Sequence, residues 1–509
     1  MLTIRKGWTQ IAPCAALREV NKQSKMKKFL SFSLLLIVFV ANTTAAERQP
    51  NIIFILADDL GWADVGFHGG NAPTPNLDKL ARESVELTQH YVYPACTPTR
   101  ASLLSGRYAT RFGVTTPLNT RVFPWATITL ARALKSVGYD TALFGKWHLG
   151  SRPEWGPQKF GFDRSYGSLA GGVGPWDHRY KTGEFSITWH RDGKLIEEEG
   201  HVTDLITREA VQRLEVRSER PFLLYLAYSA VHIPIREPDE YLERVPAEIT
   251  ERSRREYAAG VMHLDHAVGR VLAALRKTGK ADNTLVIFTG DNGGYPDARN
   301  DDPKYPPDNY PPGPAGGDNR PLRGMKLNVY EGGIRVPTLV HWPARLKPGK
   351  LTPPIHISDW MPTFCALAGY RAEKDLRWDG RNIWPILAGL ESPAPRTIYV
   401  ASPNFESQAI RDGDWKLIAQ QAGGLELFDL ASDPNETTNV APTMPDKVAA
   451  LRAKLAEAAK ADGDAIANED SSRIAQRRED QNKTHLHEII YLFGFVVVVI
   501  FVVGRVGLR

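Results

Sequence analysis

Asp58-Asp59, Lys146-Trp147-His148, His232 and Asp291-Asn292 each stand at the end of a short apolar run. The runs are N-I-I-F-I-L-A, T-A-L-F-G, P-F-L-L-Y-L-A-Y-S-A-V and T-L-V-I-F-T-G. The carboxylates and the Asn292 amide oxygen make an all-oxygen set suited to a hard cation such as Ca²⁺ or Mg²⁺. Without an ion, unpaired carboxylates brought that close would repel one another. Two histidines with Lys146 and Lys326, the latter in P-L-R-G-M-K, would suit an anionic substrate by stabilising charge and moving protons. Singly, each cluster has a plainer reading: a helix cap for Asp58-Asp59, a turn for Asp291 to Gly294, a solvated strand end for Lys146 to His148.

Cys96 opens C-T-P-T-R-A-S-L-L. Pro98 is acceptable in a first helical turn, and a helix N-terminus offers unpaired N–H donors to an anion. A cysteine there is either an activated thiolate nucleophile or a buried residue, and its position alone leaves both open.

The elements that must position these residues follow from the pattern. Apolar runs without alternation indicate strands buried on both faces, as in a parallel sheet covered by helices. The intervening segments 76–85, 129–137 and 257–275 have helical spacing. Ligands of such open sheets bind beyond the carboxyl ends of the strands, so the four clusters are expected to converge on one edge, with Lys146 and His148 sharing a side through strand alternation. The stretch 295–324, rich in Pro, Gly, Asn and Asp, is too long for an ordinary connection. After residue 397, A-I-R-D-G-D-W-K-L-I and L-E-L-F-D-L read as a small antiparallel sheet, followed by a helix at 446–459.

Taken together, these residues resemble the type I, formylglycine-dependent sulfatases of the alkaline phosphatase superfamily. The signature stands here as C-T-P-T-R-A-S-L-L-S-G, and N-I-I-F-I-L-A-D-D-L-G-W, G-K-W-H-L-G, V-H-I-P, G-D-N-G-G, P-L-R-G-M-K and E-G-G-I-R-V-P occur in family order over 50–460. The phrases L-A-Y-S-A-V-H-I-P, I-H-I-S-D-W-M-P-T and A-I-R-D-G-D-W-K-L-I are most similar to the arylsulfatase B-like group, which includes N-acetylgalactosamine 4-sulfatases.

The resemblance implies an α/β fold: an alkaline phosphatase-like, mostly parallel central sheet flanked by helices, with a smaller C-terminal subdomain of antiparallel sheet plus helix. It implies that Cys96 is converted to formylglycine by a formylglycine-generating or anaerobic sulfatase-maturating enzyme, its hydrated aldehyde being the nucleophile. Asp58, Asp59, Asp291, Asn292 and the modified Cys96 would hold one divalent cation, Ca²⁺ or Mg²⁺. Lys146 and Lys326 would bind sulfate oxygens, Arg100 would steady the modified residue, His232 with Lys326 would assist the leaving alcohol, and His148 would help release sulfate. The implied substrate is a sulfated carbohydrate or aryl sulfate. Two competitors from other classes are a phosphatase or phosphonate monoester hydrolase of the same superfamily and a non-catalytic glycan-binding relative.

Length and composition agree. The chain has 509 residues, 42% hydrophobic and 24% charged, enough for a large domain and a smaller one. Its net charge of +5 is small, and the basic residues are scattered, which argues against nucleic acid. The segment from Met26, M-K-K-F-L-S-F-S-L-L-L-I-V-F-V-A, has the layout of a signal peptide ending at Ala46. The expected organisation is extension and signal at 1–46, catalytic domain at 47–396, C-terminal subdomain at 397–461, polar linker at 462–487 and an apolar candidate membrane anchor at 488–508. That order places the catalytic body outside the cytoplasm, periplasmic, extracellular or membrane-tethered. With three cysteines, Cys14 among the removed residues, the exported chain is not disulfide-stapled, although a Cys96–Cys365 pair is open; Cys365 otherwise suits a packed helix.

Overall fold

The computed structural model describes residues 48–306, 310–314 and 316–467. The signal-like segment, most of the polar linker and the apolar segment 488–508 lie outside them. Among the described residues no helix is long and apolar enough to cross a membrane.

A ten-stranded sheet crosses the middle of the fold. Its strands are β1 (Asn51–Ala57), β2 (Val85–Leu87), β4 (Asp140–Gly145), β5 (Arg164–Ser168), β6 (Trp189–Arg191), β7 (Lys194–Leu195), β8 (Phe222–Ala227), β9 (Thr284–Gly290), β10 (Thr338–His341) and β11 (Gly349–Leu351), with β3 (His90–Tyr91) and β12 (Ile355–His356) in a separate pair. The order is β11-β2-β10-β9-β1-β8-β4-β5-β6-β7. The centre, β9-β1-β8-β4-β5, is parallel, whereas β10 runs antiparallel to both its neighbours.

Side-chain alternation along β1 splits the core in two. Ile52, Phe54 and Leu56 join one apolar cluster, and Ile53, Ile55 and Ala57 the other. The second face is covered by α4 (Val202–Glu215) and α5 (Arg252–Lys277); the first by α2 (Cys96–Ser105), α3 (Leu130–Ser136) and α6 (Trp360–Leu367), with α1 (Pro75–Arg82) also on the second. Burial on both faces explains why the β1 and β9 sequences show no polar alternation.

The register decides where the chemistry goes. Ala57 pairs with Gly290, Leu56 with Ala227, and Gly145 with Ala227. Four strands therefore end level, and Asp58, Asp291, Lys146 and Tyr228 leave the sheet side by side. Gly145 makes this possible for β4: its φ is +116°, and a Cβ there would lie 1.9 Å from the Ala227 carbonyl oxygen. Only glycine tolerates both conditions.

Strands β13 (Thr397–Ala401), β14 (Ser407–Asp412), β15 (Trp415–Gln420) and β16 (Leu425–Asp429) form the expected antiparallel sheet, with α7 (Pro445–Ala459) against it. Its apolar residues Ile398, Ile410 and Leu417 belong to the same buried cluster as Phe54 and Trp360. Lys416 of β15 is buried between Glu331 and Glu436, with its Nζ 2.9 and 2.7 Å from their oxygens. Cys96 and Cys365 are both free and buried, so no disulfide joins them.

Candidate active site

Cys96 is the first residue of α2, whose ten residues are all buried. Its Sγ lies 3.2 Å from Nδ1 of His148. Burial pushes the thiol pKa up, against the pull of Lys146 and Lys326. His148 is held neutral: burial first, then Lys146 and Arg100, depress its pKa well below the usual value.

Strand β4 ends at Gly145, so Lys146 and His148 are not brought together by strand alternation as expected. His148 has a left-handed backbone with φ +53°, and its amide continues to the Leu169 carbonyl. Its ring packs against Gly171, where a Cβ would fall 2.3 Å from Nε2. The two side chains still converge, through a turn.

The carboxylates are not left to repel one another. Lys146 Nζ donates to Asp58 Oδ2 at 2.6 Å, and Lys326 Nζ donates to both oxygens of Asp59 at 2.7 and 2.8 Å. Arg100 donates to Asp291 Oδ2 at 2.7 Å and to the Lys146 carbonyl at 2.9 Å. Asn292 Nδ2 donates to Asp59 Oδ1 at 2.7 Å, and His232 Nε2 lies 3.8 Å from Asp59 Oδ2. Every sequence-predicted site residue is in this one constellation.

Burial and the neighbouring Asp291 charge push the Asp58 carboxyl up to about 7, with Lys146 acting the other way. Burial alone would raise Asp59 too, but Lys326, His232 and Lys146 hold it well below the usual carboxylate range. His232 is kept neutral by burial, with Lys326 and Lys146 adding to the effect against Asp59.

Two oxygens test whether a cation fits. Asp58 Oδ1 and Asn292 Oδ1 are buried and have no hydrogen-bond partner, although their other side-chain atoms are well bonded. Asp58, Cys96 and Asp291 also present ligand atoms within 4.8 Å of one another. Unpaired buried acceptors from Asp58 and Asn292 beside a second carboxylate, Asp291, fit a hard, oxygen-seeking ion.

Several supports were not evident from the sequence. Asp59 has φ +60°, and its carbonyl accepts from the Tyr257 hydroxyl at 3.1 Å. That hydroxyl also bonds buried Asp64 at 2.6 Å. Asn319 clasps Gly294, donating to its carbonyl and accepting from its amide, and so leads the chain back to Lys326. The only sequence signal for these was the unusual length of the 295–324 connection.

Comparison with known proteins places this geometry in a family. The model described as "Sulfatase" matches residues 50–370, and one described as "N-sulphoglucosamine sulphohydrolase, C-terminal" matches 325–461. Arylsulfatase J of Mus musculus is 36% identical over 391 residues, 73% of this chain and 61% of the relative's own length. N-acetylgalactosamine-6-sulfatase of Canis lupus familiaris is 33% identical, with 70% of each chain covered. Among solved structures, Ps i-CgsB in complex with k-i-k-neocarrahexaose superposes with a TM-score of 0.74 at 32% identity, covering 85% of this chain and 97% of that one. With the matching model spanning most of the chain and the constellation assembled at the sheet edge, this protein belongs to the sulfatase family.

Proposed function

We propose that the protein hydrolyses sulfate monoesters of carbohydrates, with residue 96 as the formylglycine-type nucleophile and a divalent cation, Ca²⁺ by preference, beside it. The observation that carries this reading is the contact of Cys96 Sγ with His148 Nδ1 at 3.2 Å, inside a ring of two lysines, an arginine and two unpartnered oxygens. Asp58, Asp59, Asp291 and Asn292 would hold the cation, which when bound supplies Lewis-acid polarisation of a sulfate oxygen.

The chain's own residues do the rest. Lys146 and Lys326 are buried cations that can exchange carboxylate partners for sulfate oxygens and offset charge on them. Arg100 fixes Asp291 and the Lys146 backbone, and so the site's floor. His232 starts neutral, and an arriving anionic ester raises its proton affinity, which suits it to steady the proton needed by the leaving alcohol. His148 is suited to accept a proton from the residue-96 side chain and return it.

A carbohydrate substrate is supported by the surroundings and by the relatives. The Tyr180 ring lies 6.4 Å from His232 and 5.9 Å from Tyr305, with Lys181 Nζ over both tyrosines. Aromatic faces beside a cation suit a sulfated sugar ring. The relatives' names include an N-acetylgalactosamine-6-sulfatase, and one structure holds k-i-k-neocarrahexaose.

The test is a desulfation screen of protein produced with a formylglycine-generating enzyme, over defined sulfated saccharides, an aryl sulfate and matched phosphate and phosphonate monoesters. Sulfate esters should turn over fastest, and Cys96→Ala should lose at least about 10³-fold in kcat/KM. A peptide mass spectrum showing only unmodified Cys96 in active enzyme, or faster turnover of a phosphonate, would sink the reading.

A further inference from the structure

Five residues beyond His232, the same loop carries Glu237, buried against α5. Its Oε2 lies 2.7 Å from His263 Nδ1 and 3.6 Å from His201 Nε2. On the far side of the His263 ring, Nε2 lies 3.4 Å from Asp204 Oδ2. Three elements meet here: the loop after β8 through Glu237, α5 through His263, and the start of α4 through His201 and Asp204. Gly260 of α5 makes the room, since a Cβ there would stand 3.2 Å from Glu237 Oε1.

The neighbours of each ring indicate where its protons belong. His201 Nδ1 accepts the Thr203 amide at 3.3 Å, so its own proton belongs on Nε2, facing Glu237. His263 Nδ1 bonds the Glu237 carboxylate, while its Nε2 faces the Asp204 carboxylate at ion-pair distance without a hydrogen bond; two flanking anions favour the protonated ring. Arg270 holds Asp204 Oδ1 at 2.6 Å from outside. Tyr241 stacks on the His263 ring at 4.2 Å, its hydroxyl engaged with His266. Glu256 accepts the Glu237 amide at 3.1 Å.

Among the described residues no side chain of this cluster bonds to the constellation around Cys96, yet the cluster ends the segment that carries His232. The near end of that segment is tied to β1 by Asp58 N–H to the Ala230 carbonyl and Val231 N–H to the Asp58 carbonyl. The middle is clasped by Asn300, which bonds both backbone polar groups of Ile235. We propose that Glu237 and His263 are positioning residues, an ionic latch that fixes the far end of the His232 segment against α5 and α4. The kinetic consequence rests on the function proposed above; the structural one does not.

The latch has a pH window. Burial alone would lower the His263 pKa, but Asp204 and Glu237 push it up to about 9. The folded value lies above the unfolded one of about 6.5, so the latch contributes fully below that value and is lost as pH rises through about 9. His201 stays neutral because burial lowers its pKa against the pull of Glu237.

His201, Glu237 and His263 also form a donor set within 4.8 Å that a metal could use. Asp204, which stands outside that donor set, argues for the latch, since it supplies a second anion to pair with a protonated His263 ring and is itself held by Arg270.

His263→Gln and Glu237→Gln in the full chain test it. Amide hydrogen exchange in 229–238 should rise about 10-fold or more, with the core strands unchanged. The kcat for a sulfate ester should fall about 10- to 100-fold with KM within about 3-fold. The wild-type decline in kcat near pH 9 should be absent from His263→Gln. Unchanged exchange in the loop of both variants overturns the latch whatever the activity, as does a rise spread over the whole chain. A second equivalent of Zn²⁺ bound by the wild type and lost in His263→Gln would also overturn it. Failure of the wild type to cleave any sulfate ester would defeat the functional reading and leave the exchange result decisive.

Discussion

Asp58 divides its two oxygens between different surroundings. One oxygen takes the Lys146 ammonium at 2.6 Å, and the other is buried without a partner. Leaving such an acceptor unpaired costs about 1–3 kcal/mol, which a bound cation would offset. Chelation with EGTA should therefore lower the melting temperature and added Ca²⁺ restore it, the shift corresponding to about 4 kcal/mol at a thousand-fold excess over Kd. Asp58→Asn should weaken Ca²⁺ at least about 10-fold by calorimetry, because affinity follows the ligand charge count; undiminished affinity would remove Asp58 from the ligand set. The lysines belong to the same balance. Lys146 and Lys326 neutralise the carboxylates that the sequence, read without partners, left repelling one another.

Elements hold those residues by ending level. Gly145→Ala is the sharpest probe, since a methyl 1.9 Å from the Ala227 oxygen must push β4 from β8. Denaturant unfolding should show a loss of about 3 kcal/mol, together with lost turnover as Lys146 and His148 shift; a near-neutral result would mean the strand ends are not rigidly levelled. The strands themselves were legible. N-I-I-F-I-L-A and T-L-V-I-F-T-G coincide with β1 and β9, and the helices expected at 129–137 and 446–459 form at Leu130–Ser136 and Pro445–Ala459. Apolar runs and helical spacing are local properties, so they survive in one dimension. The pairings were not legible. Nothing local told that Thr338–His341 would insert antiparallel beside β9, or that β4 would stop before Lys146. The same holds for the latch, whose His201, Glu237 and His263 come from three separate segments.

At the scale of the whole molecule, the small sheet is tied to the active-site side by a buried charge network. Lys416 sits between Glu331 and Glu436, and Glu331 also accepts from the Tyr91 hydroxyl at 2.7 Å. Glu331 lies five residues after Lys326, so strain there would reach the site. Lys416→Met should cost about 3–5 kcal/mol in chemical denaturation, because it strands two buried carboxylates; a loss below about 1 kcal/mol would show that the apolar contacts of β13 to β16 alone hold the sheet in place.

The burial of Cys96 bears on timing. It is 1% exposed, on a helix with no residue at the surface, beneath a sheet whose strands come from positions spread over more than two hundred residues. A modifying enzyme that needed to reach the Cys96 side chain would have no access once those strands have paired. Under the formylglycine reading proposed above, conversion of this cysteine would be a race against the fold, won while the chain is still unpaired or forfeited for the lifetime of the molecule.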